Sequence, residues 1–227
     1  MIKYDGVNQV VLSSVPGDVS TVLDVGCGTG RLGGELEQRG ARVTGITFNP
    51  DEAEAARAHM TRAIVADLNT FTFDGLTDFD CAICSHVLEH LYEPAAVLNR
   101  IASTVRPGGH VIVALPNIMT FQSRSKFLLG RFQYTLGGLM DSTHFRFFDR
   151  ASALALLHRA ALEVVSVRDD GYFPLRGLRG VVPTVAKRID RIALRLMPNL
   201  FAWQIVMVGR VKPHRIARST SMAPENL

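Results

Sequence analysis

A hydrophobic strand signal that ends beside an acid and runs into alternate glycines constrains this chain more than any other segment. The run is Val22-Leu23-Asp24-Val25-Gly26-Cys27-Gly28-Thr29-Gly30. Glycine at every second position admits positive φ and lets a ligand lie against bare backbone. The helix that follows, to about Arg39, starts with unpaired N–H donors. Gly40 ends that helix, as a glycine after a last turn does.

Strand and helix signals then alternate. Arg42 to Thr47 reads as a second strand, and Asn49-Pro50 opens a helix with Asn49 as cap and Pro50 at its first position. Ala63–Ala66 and Phe79–Cys84 read as strands three and four, the latter apolar enough to be central. A helix over Glu93–Val105 is stopped by Pro107-Gly108-Gly109, and His110–Leu115 is strand five. Asp149 can cap a helix to about Ala160. Leu162–Val167 and Phe201–Val211 read as strands six and seven. This βαβαβ order predicts a mostly parallel sheet with helices on both faces, an α/β fold. At 227 residues, residues 1–212 are expected to form a single domain, with insertions at 116–148 and 171–199 as lid and substrate regions and a disordered tail at 213–227.

Composition narrows the class. Hydrophobic residues make up 47% and charged residues 20%, which excludes whole-chain disorder. No run approaches the roughly 18–20 apolar residues of a membrane span. Residues 1–5 lack the apolar core of a signal peptide, so the cytoplasm is the expected compartment. Cys27, Cys81 and Cys84 cannot make a disulfide framework. Cys81 and Cys84 lie three apart on a strand, point to opposite faces and read as core thiols rather than a metal or redox pair. The net charge is +4, yet the basic excess sits in residues 168–227, with 11 basic against 4 acidic side chains. With no nucleic-acid motif beside it, this excess does not predict a nucleic-acid partner.

Two cofactors compete for the glycine loop. Gly28-Thr29-Gly30-Arg31-Leu32-Gly33 matches G-x-G-x-x-G literally, but a pyrophosphate is repelled by a carboxylate such as Asp24. A sulfonium donor with a free α-amino group is attracted by it. The nine residues resemble motif I of the class I S-adenosylmethionine-dependent methyltransferases. Asp67-Leu68 is similar to that family's adenine-contacting acid and its apolar neighbour. Phe79-Asp80-Cys81-Ala82-Ile83-Cys84-Ser85-His86-Val87-Leu88-Glu89-His90-Leu91 is similar to its fourth strand and following turn, and Arg106-Pro107-Gly108-Gly109 to the turn before its fifth. The resemblance implies a Rossmann-like, seven-stranded sheet with the last strand antiparallel between five and six. It implies S-adenosyl-L-methionine as cofactor, held by Asp24, Gly26, Cys27, Gly28, Thr47, Phe48, Asn49, Asp67, Leu68 and Ser85. One departure stands out. The family usually carries Asp or Glu at the end of strand two for the ribose hydroxyls, and this chain has Thr47, with Asn49 or Asp51 as candidate substitutes.

His86-Val87-Leu88-Glu89-His90 follows strand four, at the edge where open α/β sheets bind ligands. On one helical turn positions 86, 89 and 90 share a face. Asp141-Ser142-Thr143-His144-Phe145-Arg146-Phe147-Phe148 resembles the D-x-T-H-x-R-F-F segment of a subgroup that includes O-methyltransferases of sugars, quinones and other natural products. Three readings stay open. His144, or His90 with Glu89 beside it, is a general base for an acceptor hydroxyl. Alternatively His86, Glu89, His90 and His144 hold a divalent metal; their pattern is similar to the metal motif of small-RNA 2′-O-methyltransferases and quinone O-methyltransferases. Or Glu89 and His90 only fix the loop while His144 pairs with Asp141 or Asp149. The favoured function is methyl transfer to a small-molecule hydroxyl without a metal. A metal-assisted enzyme acting on a glycan or RNA end, and a non-catalytic partner protein that keeps the fold, are the alternatives.

The remaining candidates are secondary. Asn117 can meet the substrate, Tyr4 can close over the cofactor, and Arg124, Lys126, Arg131 and Arg146 can meet an anionic group. Val185, Ile189, Ile192 and Leu196 recur at helical spacing among Lys187, Arg188, Arg191 and Arg195. This basic amphipathic stretch, 182–197, is expected to dock on its own domain or on a homodimer partner, or to meet a membrane or a lipid-linked substrate.

Overall fold

The apolar run at the glycine loop forms the strand β1 (Thr21–Val25), and the other strands assemble around it. The structure is a computed structural model that describes residues 6–174, 180 and 182–212. In chain order the helices and strands are α1 (Gln9–Leu12), β1, α2 (Arg31–Gln38), β2 (Arg42–Thr47), α3 (Pro50–Arg57), β3 (Arg62–Val65), β4 (Phe79–Ser85), α4 (Pro94–Thr104), β5 (Val105–Pro116), α5 (Phe121–Leu128), α6 (Arg150–Arg159), β6 (Leu162–Gly171), α7 (Pro183–Leu196), α8 (Pro198–Phe201) and β7 (Ala202–Val211).

The sheet order is β3-β2-β1-β4-β5-β7-β6. The pairs from β3 across to β5 are parallel, whereas β7 runs antiparallel to both β5 and β6. The expected seven strands and the placing of the last are therefore observed. Alternation along the strands divides the core into two layers. Leu23, Val25, Cys84 and Val113 pack with Leu98 and Ile101 of α4 and Leu157 of α6. Val22, Cys81, Ile83 and Ile112 pack with Val11 of α1, Leu36 of α2 and Ala53 of α3. Cys81 and Cys84 thus lie on opposite faces, and burial pushes both thiols up into the inert neutral form.

Local signals set the helix starts. Asn49 accepts from the Asp51 N–H with Pro50 at the first position of α3. Asp149 and Ser152 form a reciprocal capping box on α6. Three elements differ from the sequence reading. Strand β5 begins at Val105 and absorbs Pro107-Gly108-Gly109, because Val105 pairs with Phe79 before the register shifts and resumes at His110 opposite Cys81. Strand β6 runs on to Gly171 because β7 supplies partners that far. Helix α1 was not expected; it is one turn capped by Asn8, too short to carry a period.

The glycine loop is bound to the end of β2, where the Ile46 carbonyl accepts from the N–H groups of both Gly26 (2.8 Å) and Cys27 (2.9 Å). Gly30 has φ +81, and a Cβ there would lie 2.9 Å from the Cα of Ala56. The loop therefore packs against the α3 backbone in a conformation that L side chains rarely adopt. Gly30→Ala is expected to destabilise the chain by about 2 kcal/mol, read as a lower midpoint in urea unfolding; an unchanged midpoint would refute the close packing of loop and helix.

Candidate active site

The carboxyl ends of β1, β2 and β4 meet where the strand order reverses, which is where open α/β sheets bind ligands. Asp24 sits there, 2% exposed, and its Oδ2 has no hydrogen-bond partner among the described residues. Burial pushes its carboxyl up to about 7. Four residues on, Gly28 has φ +53 and open space where a Cβ would stand, so the loop presents bare backbone near this acid. That combination fits a ligand with a positive group and disfavours a pyrophosphate. Gly33, the third glycine of the literal dinucleotide match, is buried against Met60 and serves packing instead.

The other cofactor candidates lie along the same edge. Thr47 is buried at the end of β2. Phe48 is 74% exposed, an aromatic surface held out at the strand end. The Asn49 side chain is engaged as the cap of α3, and Asp51 is exposed in its first turn. Asp67 follows β3, exposed, and its Oδ1 accepts from the backbone N–H and side-chain amide of Asn69; Leu68 is buried behind it. Ser85 ends β4 within 3.5 Å of the Asn8 amide. The Cys27 thiol is raised by burial and by the nearby charge of Asp24, which keeps it neutral. Tyr4 lies outside the described residues, as does the segment 213–227.

The turn after β4 is tighter than expected. Leu88–His90 is a 3₁₀ turn and His86 has φ +54, so positions 86, 89 and 90 do not form one α-helical face. His86 is directed towards Gln204 (Nε2 to Oε1, 2.8 Å) and lies parallel to Trp203. Its Nδ1 is 3.4 Å from Glu89 Oε1. Burial opposes charge on this ring, but Glu89 and Gln204 more than offset it, and the pKa is raised. Gln204 reaches this point because β7 runs antiparallel and starts at the carboxyl edge of the sheet. Nothing in the local sequence at position 204 signals this.

On the other side of Glu89 stand His90 and His144, their rings 4.7 Å apart. Glu89 is 1% exposed, and its Oε2 has no hydrogen-bond partner among the described residues. Its carbonyl accepts from the N–H groups of Phe145 and Arg146, which joins the β4 turn to the D-x-T-H segment. The Asp141 Oδ1 accepts from the Thr143 N–H and hydroxyl. The Thr143 hydroxyl proton is therefore spent, and its oxygen and carbonyl can only accept from His90 Nδ1, at 3.1 and 3.0 Å. The Leu139 carbonyl likewise faces His144 Nδ1 at 3.3 Å. In its neutral form each ring then carries its proton on Nδ1 and a lone pair on Nε2. Burial lowers the pKa of His144, and neighbouring charges do not reverse this, so the ring is neutral near pH 7. One donor atom each from Glu89, His90 and His144 lies within 4.8 Å of the others. His86 stands outside that group, which corrects the four-residue metal set.

Several secondary candidates are otherwise engaged. Asn117 is fully buried; its amide donates to the carbonyls of Asn199 and Ala202 and its Oδ1 accepts from Met119 N–H. It ties the first insertion to β7 and does not face a substrate. Arg146 donates to the Tyr92 carbonyl and Arg124 to that of Met119. Asp149 caps α6 and does not pair with His144. Helix α7 is rotated by about one residue from the expected docking: Ala186 and Ala193 face inward. Ile192 and Leu196 stay 59% and 72% exposed, beside a groove of about 310 Å³ lined by Phe173, Ile189, Met197 and Phe201 among others. The small side chains seat the helix because only they allow close approach to the strand beneath.

Comparison with known proteins agrees with this geometry. The sequence model of a family described as a methyltransferase domain matches residues 7–167. The chain is 37% identical over 163 residues to a ubiquinone biosynthesis O-methyltransferase of Pseudomonas paraeruginosa, covering 68% of this chain and 69% of that protein. It is 31% identical over 166 residues to the protein of the same name from Idiomarina loihiensis, covering 69% and 67%. Among solved structures, a SAM-dependent methyltransferase from Archaeoglobus fulgidus aligns with TM-score 0.63 at 18% identity over 86% of this chain and 87% of that one. A 1,6-didemethyltoxoflavin-N1-methyltransferase of Burkholderia thailandensis aligns with TM-score 0.56 at 20% identity, covering 89% and 76%. At such identities the structures speak for the fold.

The buried Asp24 has a measurable cost. Below pH 3.8 the carboxyl is protonated in both folded and unfolded chains. Between 3.8 and about 7 the folded chain keeps a proton that the unfolded chain has lost, so this group removes stability as pH rises. The full window corresponds to at most about 4 kcal/mol. Asp24→Asn is therefore expected to stabilise the ligand-free chain more at pH 8 than at pH 4.5 in denaturant titrations, while weakening its binding of a cationic ligand. Equal effects at the two pH values would contradict a buried, uncompensated acid.

Proposed function

Because the chain belongs to the S-adenosylmethionine-dependent methyltransferase family, we propose that it methylates a hydroxyl of a small quinone-type or phenolic acceptor, with His144 as the general base. When bound, the donor supplies an electrophilic methyl on a sulfonium. The chain's own contribution is charge, alignment and proton removal. Asp24 offers the buried carboxylate that a donor's α-ammonium group neutralises, and Gly26, Cys27 and Gly28 offer bare backbone beside it. Phe48, Asp67, Leu68 and Ser85 lie along the same strand ends and suit the nucleoside portion.

The observation that carries the reading is the state of His144. It is buried, neutral near pH 7, and has Nδ1 turned to a carbonyl, so Nε2 is free to take a hydroxyl proton. The relatives named as O-methyltransferases of ubiquinone biosynthesis support a hydroxyl on a quinone precursor as the acceptor. His144→Ala is expected to bind S-adenosylhomocysteine within threefold of the natural chain and to lose roughly 10²–10⁴ in kcat on a catechol-type acceptor. The natural chain should lose activity only as pH falls below the ordinary histidine range, since burial lowers this group. A variant that turns over at the natural rate would remove His144 from the chemistry.

One observation favours a second reading. One donor atom each from Glu89, His90 and His144 lies within 4.8 Å of the others, a set of two imidazoles and a carboxylate that suits a divalent ion of the zinc, iron or manganese type. An ion there would bind the acceptor oxygens and lower the hydroxyl pKa in place of the base. Loss of activity on exhaustive chelation, restored by one added ion, selects this reading; full activity after chelation selects the base.

The second insertion supports an acceptor with an apolar tail. Among the described residues no helix is long and apolar enough to cross a membrane, but α7 holds Ile192 and Leu196 in the open beside Arg188, Arg191 and Arg195. Such a helix suits an anionic lipid surface where a lipid-linked acceptor resides. Co-sedimentation with vesicles containing anionic phospholipid at 0.15 M salt is expected to exceed that with neutral vesicles, and Ile192→Glu with Leu196→Glu should abolish it; equal recovery with both vesicle types would contradict a surface contact.

A further inference from the structure

We propose that Glu52, one turn into α3, supplies the carboxylate that grips the two ribose hydroxyls of the methyl donor, and that Thr47 orients it. This rests on the reading of the crevice as a donor site. The strand end carries no acid, since β2 stops at Thr47 and the next two side chains are Phe48 and Asn49. The Thr47 hydroxyl donates to Glu52 Oε2 at 2.7 Å. This contact returns a carboxylate to the strand end from a different element.

The local geometry explains why Glu52 is free for the task. Asn49-Pro50-Asp51-Glu52 has capping-box spacing, in which the third helical residue reaches back to the cap's own N–H. Here the Asn49 N–H points at the Thr47 oxygen, at 3.4 Å, and the cap side chain is satisfied by Asp51 N–H. Glu52 is thereby released from the box and turned towards β2. It is half-buried, and no lysine or arginine among the described residues forms a salt bridge with it. One hydroxyl occupies one of about four acceptor positions on a carboxylate, which leaves both oxygens able to accept from a vicinal diol. The neighbouring acid Glu54 is exposed and paired with Arg57, and Asp51 is exposed.

Glu52 is also beside the glycine loop. The Ile46 carbonyl, one residue before Thr47, holds Gly26 and Cys27, and the Glu52 charge is felt at the Cys27 thiol. Asp24 on β1 and Glu52 on α3, held at the end of β2 by Thr47, therefore present two acids at neighbouring strand ends. Asp24 is buried and unpartnered, suited to a cation. Glu52 is half-exposed and held by a hydroxyl, suited to a neutral diol.

Calorimetric titration of the whole chain with S-adenosylhomocysteine, and with its 2′-deoxy and 3′-deoxy analogues, separates these roles without turnover. The natural chain is expected to bind S-adenosylhomocysteine about tenfold or more tighter than either deoxy compound. Glu52→Gln should weaken the full nucleoside by about tenfold and bind all three compounds within threefold of one another. Thr47→Val should lie between, and Thr47→Ser should match the natural chain, which a merely structural threonine would not require. If Glu52→Gln does not fold, as judged by circular dichroism, the Thr47→Val and Thr47→Ser pair still reads the preference for the diol. Retention of the natural preference by Glu52→Gln, or by Thr47→Val, overturns the assignment while leaving the donor site intact. A natural chain that binds none of the three compounds overturns the donor reading itself.

Discussion

A carboxylate held out of water without a partner is the constraint around which the rest of the site is arranged. Asp24 lies near the end of β1, between two parallel neighbours, where no group among the described residues hydrogen-bonds its Oδ2. In a ligand-free chain that burial is unfavourable. It persists because the strand that carries it is also the centre of the sheet, with Val22, Leu23 and Val25 all fully buried. A cation entering the crevice converts the penalty into affinity, since the charge it meets has already been stripped of solvent. The glycine loop serves the same end, for the Ile46 carbonyl fixes two of its N–H groups and its bare backbone leaves room for the ligand.

The chemistry at the other end of the crevice follows a similar logic of unpaired groups. The turn after β4 and the D-x-T-H segment are far apart in sequence and are joined through the Glu89 carbonyl. Asp141 orients Thr143, and Thr143 orients His90, so a buried acid sets a tautomer through one intermediary. The result is one donor atom each from Glu89, His90 and His144 within 4.8 Å of the others. His86, bound to Gln204 and close to the opposite oxygen of Glu89, fixes the acid without joining the group.

The fold and the crevice around Asp24 were largely legible in the sequence. The strand-to-glycine transition at 22–30, the Asn49-Pro50 cap and the Asp149 cap depend on contacts within a few residues, and each is found where local chemistry placed it. What the sequence misplaced depended on partners from elsewhere. Strand β5 starts before its glycine turn because Phe79 offers a pairing edge, and α7 turns its alanines inward because of the surface it meets. Asn117 read as a substrate contact and is instead a buried tie between the first insertion and β7. Glu52 was not read as a site residue, because an acid in the first turn of a helix is explained by the helix dipole alone.

The sequence by itself determined a mostly parallel α/β fold with an acid beside a glycine loop, because strand period, capping and loop conformation are properties of short segments; the methyltransferase reading came from the resemblance of its motifs. Tertiary structure alone decided which groups share the site. The antiparallel course of β7 brings Gln204 to His86, the first turn of α3 brings Glu52 to Thr47, and the loop at 139–144 brings His144 to Glu89. Those meetings are set by strand order and by packing of elements distant along the chain, and no local pattern encodes a distance between such residues.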